Sequence, residues 1–114
     1  MAETVEDRDV ALLLDMLLAA RDAVGFLAGI DEAAFLASRL HQNAVIRSLE
    51  VIGEAAAKVS PTTRTEHPDI EWRDMVGMRH RLGYADVRLD LVWTVAVNHL
   101  PPLIAALEPL IPRE

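Results

Sequence analysis

Arg79, His80 and Arg81 stand in three consecutive positions, and two residues on come Gly83 and Tyr84, the one tyrosine of the chain. Each of these residue types suits one task in phosphodiester chemistry. Arginine presents a planar fork of N–H donors matched to phosphate oxygens, and an imidazole exchanges protons near neutral pH. Together they could cleave RNA through attack of its own 2′-hydroxyl, the guanidinium taking up charge on phosphate and the imidazole moving protons, with no metal needed. A plainer account competes. Basic residues in a last helical turn offset the negative end of the helix dipole, and a glycine ends a helix by adopting a left-handed conformation. Composition leaves both an ordinary helix C-terminus and a site open.

Little else in the chain invites chemistry. The four histidines, His41, His67, His80 and His99, fall on four different segments, and none is paired at ligand spacing on one helix, so no metal site is expected. There is no glycine-rich phosphate loop and no serine-centred nucleophile elbow, and no cofactor is implied. Cysteine is absent, which excludes disulfides and thiolate ligands and fits a reducing cytoplasm. Eleven basic residues against 18 acidic ones leave a net charge of -7. That balance argues against broad nucleic-acid binding, DNA included, while leaving room for a small basic pocket.

The elements that must position the segment are helical. Hydrophobic residues make up 52% of the 114 and aromatics 4%; Ala and Leu dominate, as in helices, and one domain over 1–114 is expected. A first helix should run from about Asp7 to Ala28 and end in the turn Gly29–Asp31. Val10, Leu13, Leu14, Leu17, Val24 and Leu27 form one apolar stripe along it, and Leu12, Met16, Ala19, Ala23 and Phe26 a second. Polar groups are confined mainly to Arg8, Asp15 and Asp22, so this helix should be covered on two sides. The second cover is expected to be another copy of the chain, in a two-fold dimer.

A short helix should follow over Glu32–Ser38, with Asp31 as its N-cap. A long one should span Leu40–Val59, stopped by Ser60-Pro61. Its core stripe is Val45, Leu49, Ile52, Ala56 and Val59. Its opposite side is a ladder of Asn43, Arg47, Glu50, Glu54 and Lys58, which on its own terms is a solvated face laced by weak ion pairs. After a polar connector, "PTTRTEHPD", a helix from Ile70 to Leu82 carries the basic cluster, with Asp69 as cap and Trp72, Met75, Val76 and Leu82 packing inward. A last helix begins near Leu89, turns Val92, Trp93, Ala96 and Leu100 inward, and bends at Pro101-Pro102 before Leu103, Leu107 and Leu110. Asp15, Arg21 and Asp22 interrupt the longest apolar stretches, so no membrane span is expected, and the acidic start lacks the basic region of a signal peptide. The sum is an all-α, up-and-down bundle of four to five helices.

Three blocks then carry a family likeness: "AVIRSLEVIGEAAAKVS", "HPDIEWRDMVGMRHRL" and "GYADVRLDLVWTVAVNHLPPL". From about Arg39 to Leu103 they resemble the HepT-like branch of the HEPN superfamily. The resemblance implies a dimeric α-helical bundle, encoded beside a minimal nucleotidyltransferase in what resembles a toxin–antitoxin pair of type VII. It implies further a metal-independent RNase, acting on tRNA or mRNA and silenced when the nucleotidyltransferase adds AMP to a tyrosine. The family motif is Arg, a polar residue, three more positions, His, one position, Tyr. Arg79 matches the arginine, His80 the polar position and Tyr84 the tyrosine. The motif histidine has no counterpart, because two residues are missing between Leu82 and Gly83. His80 is then the substitute imidazole, although adjacent helical positions diverge by ~100°. Glu54, inside the signature "IGEAA", is implied as a support for Arg79, with Arg81 and Arg47 as further basic groups. Two functions stay open on these grounds: a ribonuclease toxin with Arg79 and His80 at its centre, or an inactive dimer that serves to bind the nucleotidyltransferase.

Overall fold

The computed structural model describes the backbone of residues 7–82 and 87–112, and the side chains of 7–78 and 87–112. The described elements are α1 (Asp7–Phe26), α2 (Glu32–Leu36), α3 (Arg39–Lys58), α4 (Pro61–Glu66), α5 (Trp72–Leu82) and α6 (Leu89–Thr94). One π-helical turn (Val95–His99), α7 (Leu100–Leu107) and a closing 3₁₀ turn (Glu108–Leu110) follow. All are helical and no strand occurs among the described residues, as the sequence predicts.

α3 lies at the centre, packed on one side by α1 and on the other by α5, while α7 closes over α1. The periodicity of α3 explains this place: Val45, Leu49, Ile52, Ala56 and Val59 are all buried, as expected. α1 corrects the expectation. Its buried apolar residues are Leu13, Met16, Leu17, Ala19 and Ala23, drawn from both predicted stripes, and Ala20 from neither, whereas Leu14, Leu18, Val24 and Phe26 are exposed. A helix that is apolar nearly all round gives no periodic signal to say which side wins.

Capping follows local chemistry. Asp31 accepts the Ala34 N–H at 2.9 Å at the start of α2. The Ser38 hydroxyl accepts the His41 N–H at 3.2 Å at the start of α3. Gly29, with φ of 81°, turns the chain after α1 in a conformation that a side chain would strain. Asp69 is exposed and stands before the start of α5 at Trp72, which begins two residues later than expected.

The proline pair does not end the helix. The helix widens for one turn ahead of it: the Leu100 N–H reaches the Val95 carbonyl, five residues back. Pro101 and Pro102 then sit in the first turn of α7, where a missing N–H is tolerated. The outcome is a nearly unbroken helical run, Leu89–Leu110, long and apolar enough to cross a membrane by length and composition only, with a mean hydropathy of 1.3. Its Val92, Ala96, Leu100, Leu103 and Leu107 are buried against the bundle as one stripe, while Leu91 and Val97 on other sides are exposed.

Candidate functional site

The basic cluster sits where α5 ends. Trp72, Met75 and Met78 are buried and fix this helix against α3, and the Trp72 indole donates to the His67 carbonyl at 3.0 Å. Arg79, His80 and Arg81 occupy the final turn of α5, up to Leu82. Their side chains, and Tyr84 altogether, lie outside the described residues.

The supporting candidates are on α3. Arg47 is exposed and reaches Glu50 at 3.7 Å, a loose pair one turn apart. Glu54 is exposed one turn further on, in a stretch where Ile52, Gly53, Ala55 and Ala56 are buried. Of the ladder Asn43, Arg47, Glu50, Glu54 and Lys58, Arg47–Glu50 is the one ion pair formed among the described residues. It is therefore mainly a solvated face, and such a pair adds little to stability.

The connector that leads toward α5 is anchored to α1 and α3, and here sequence reasoning missed the principal residues. Asp9 on α1 is 1% exposed. Its carboxylate accepts the Ser60 N–H at 3.1 Å, the Ser60 hydroxyl at 2.6 Å and the Thr63 hydroxyl at 2.6 Å. Burial pushes its pKa up, but the Ser60 and Thr63 hydroxyls, the Ser60 N–H and the charge of Arg8 outweigh that and hold it below the usual carboxylate value. Ser60 in turn caps α4, accepting the Thr63 N–H at 3.3 Å. Arg64 folds back onto the C-terminus of α3, donating to the carbonyls of Ala56, Ala57 and Val59 at 2.9, 3.0 and 3.1 Å. The connector "PTTRTEHPD" thus contains a helix. The signal was legible: Ser60-Pro61 stops one helix, but serine at an N-cap with proline at the first helical position also starts another.

The far end of α5 meets the π-helical turn. His99 Nδ1 lies 3.3 Å from Glu71 Oε1 on the surface. No three His, Asp or Glu side chains gather for a metal ion among the described residues.

The chain matches the family model described as "Ribonuclease HepT-like" over residues 16–110. It is 35% identical over 99 residues to a protein of Methanocaldococcus jannaschii named as a candidate RNase, covering 84% of this chain and 91% of the relative. A second candidate RNase of that organism is 35% identical over 107 residues, 91% of this chain and 92% of the relative. A protein of Thermococcus cleftensis named as a candidate ribonuclease HepT is 37% identical over 78 residues, 67% of this chain and 71% of the relative. No solved structure matches the chain.

Proposed function

The chain belongs to the HepT-like ribonuclease family, and on that footing we propose that it is a metal-independent endoribonuclease, the toxin of a type VII toxin–antitoxin pair. A minimal nucleotidyltransferase is its antitoxin, silencing it by adenylylation of Tyr84. The observation that carries this reading is the placement of Arg79, His80 and Arg81 at the end of α5, within the matched residues.

In cleavage, the 2′-oxygen of a ribose attacks the adjacent phosphorus and the 5′-oxygen of the next nucleotide leaves. The products are a 2′,3′-cyclic phosphate and a 5′-hydroxyl. Arg79 takes up charge growing on the non-bridging oxygens. One proton must leave the 2′-hydroxyl and one must reach the departing 5′-oxygen; His80 is the imidazole at hand. Arg81 and Arg47 add positive charge for RNA, and Glu54 positions a guanidinium. In silencing, the Tyr84 oxygen attacks the α-phosphorus of ATP and pyrophosphate leaves. Each AMP left behind places phosphate charge near Arg79, in competition with RNA. The active form is a homodimer in the cytoplasm.

A second reading has its own observation. The motif histidine has no counterpart between Leu82 and Gly83, which favours an inactive dimer that binds the nucleotidyltransferase. One experiment separates the two. RNA cleavage is measured for the natural chain, for a chain with a hydrophobe and a histidine inserted after Leu82, and for His80→Ala and Arg79→Ala. A group of this kind contributes ~10²–10⁴-fold, so the insertion should raise cleavage by a comparable factor. Arg79→Ala should abolish it, and EDTA should leave it unchanged. Cleavage by the natural chain that His80→Ala destroys makes His80 the working imidazole. Absence of cleavage in the natural and inserted chains alike leaves the binding role standing alone.

A further inference from the structure

Met75, buried on α5, lies under two neighbouring cavities that open between α5 and the run from the π-helical turn into α7. One, of about 250 Å³, has Ile70 and Leu103 as a buried floor and Ala106 on its α7 wall. The other, of about 190 Å³, has Met78 as floor and Val95 on its far wall. Glu71 and His99 line both. Their contact at 3.3 Å is thus a bridge that divides one groove into two.

Each cavity keeps a carboxylate of its own, Asp69 in the larger and Asp74 in the smaller. Both are exposed, and neither forms an ion pair among the described residues. Acidic residues at a helix start have an ordinary role, offsetting the positive end of the dipole, and alone would signify nothing. The apolar floor beneath each of them says more. A buried methionine or leucine under an exposed carboxylate matches an arginine or lysine side chain. Its methylenes cover apolar surface while the cationic head stays at the rim. No arginine or lysine among the described residues lines either cavity.

Size and sign narrow the occupant. Both cavities fall below the ~300 Å³ at which pockets for whole small molecules begin. Carboxylates repel the phosphates of a nucleic acid. The cavities share Glu71, Met75 and His99, so they stand about one side chain apart. An extended chain sets alternate side chains on one face at ~7 Å, which is the same spacing in kind.

We propose that this groove docks an extended basic segment of a partner protein, through two arginines or lysines one residue apart. One seats against Asp69 and the other against Asp74, astride the Glu71–His99 bridge. Nothing in this seating calls on Arg79, His80 or Arg81, so the proposal stands whether or not the chain cuts RNA.

The test is isothermal titration calorimetry of the full chain at low salt, with circular dichroism to verify that each variant folds. The probe is a capped alanine peptide with arginine at two positions one residue apart. The natural chain should bind it. Asp69→Asn and Asp74→Asn should each weaken binding about threefold, as exposed charge pairs do, and together about tenfold. Ala106→Phe fills the larger cavity without changing the charge and should weaken binding at least as much as Asp69→Asn. Glu32→Gln with Glu66→Gln removes the same charge from exposed positions elsewhere and should leave binding unchanged. A loss there equal to that of the two aspartates would mean attraction to the net charge of -7, and overturns the proposal. Equal affinity for a peptide with one arginine, or for putrescine, assigns the groove to a single small cation and overturns it too. So does the absence of binding by the natural chain at millimolar peptide.

Discussion

Two aspartates on α1 have opposite fates. Asp9 is buried with three donors of its own chain around its carboxylate. Asp22, on the same helix, lines an open groove between α1 and α3, opposite Arg47, and forms no ion pair with it inside the chain. The local sequences do not differ in kind, since both lie in an apolar helix beside an arginine, Arg8 or Arg21. What separates them is what the fold brings up. α4 arrives with a capping serine and a threonine at Asp9, whereas nothing among the described residues covers Asp22. A carboxylate satisfied internally is part of the fold, and one left at an apolar groove is available to a partner.

That contrast is sharpest in stability. Asp9→Ala strands the Ser60 N–H and two hydroxyls in a buried place and removes a charged acceptor, so it should cost about 2–4 kcal/mol. Thermal unfolding should show Tm lower by roughly 8–16 °C. Asp22→Ala should move the melting of the monomer by less than about 0.5 kcal/mol. Equal losses for the two variants would erase the distinction.

Arg64 comes next. Arg64→Ala removes donors from three carbonyls at the end of α3, and water can take their place on the exposed side, so about 1–2 kcal/mol is expected in urea titration. Loss of the α3–α5 joint as well would show as a drop far beyond that figure.

Acid should act through Asp9 and in one direction. Its pKa is lowered on folding from 3.8, so the protein gains stability from its ionised form above that value and loses the gain as pH falls through the lower folded value. The stability gap between the natural chain and Asp9→Asn, followed by denaturant titration from pH 6 to pH 2, should therefore narrow only below about pH 3.8. A gap that is constant with pH would mean that the hydrogen bonds, and not the charge, account for the anchor.

Much of this was legible before any coordinates. The core side of α3 followed from its spacing because a polar ladder stands opposite, giving the period something to contrast with. α1 lacked that contrast, and its inner side was decided by which neighbours arrived. Ser60-Pro61 signals an end and a beginning at once, and the stop to α3 masks the start of α4 and with it the Asp9 anchor. Pro101-Pro102 suggested a bend because proline forbids an ordinary helix interior; the π-helical turn before it is a cooperative adjustment of backbone bonding that no single residue announces. For the basic cluster, the motif placed Arg79, His80 and Arg81 on one helix end, and the helix is there. Whether Glu54 supports Arg79 depends on side-chain positions outside the described residues, which spacing alone does not fix.

The smallest effect concerns the one ion pair of the α3 ladder. Arg47 and Glu50 are 3.7 Å apart with side chains 66% and 30% exposed, a geometry in which solvent screening leaves at most about 0.5 kcal/mol. Glu50→Gln should thus leave Tm within roughly 2 °C of the natural value. A loss well beyond that would mean that Glu50 holds Arg47 in a fixed orientation within its own chain. Arg47 would then belong, like Asp9, to a network built inside one chain, and the line drawn between the two aspartates would have to move to include its opposite wall.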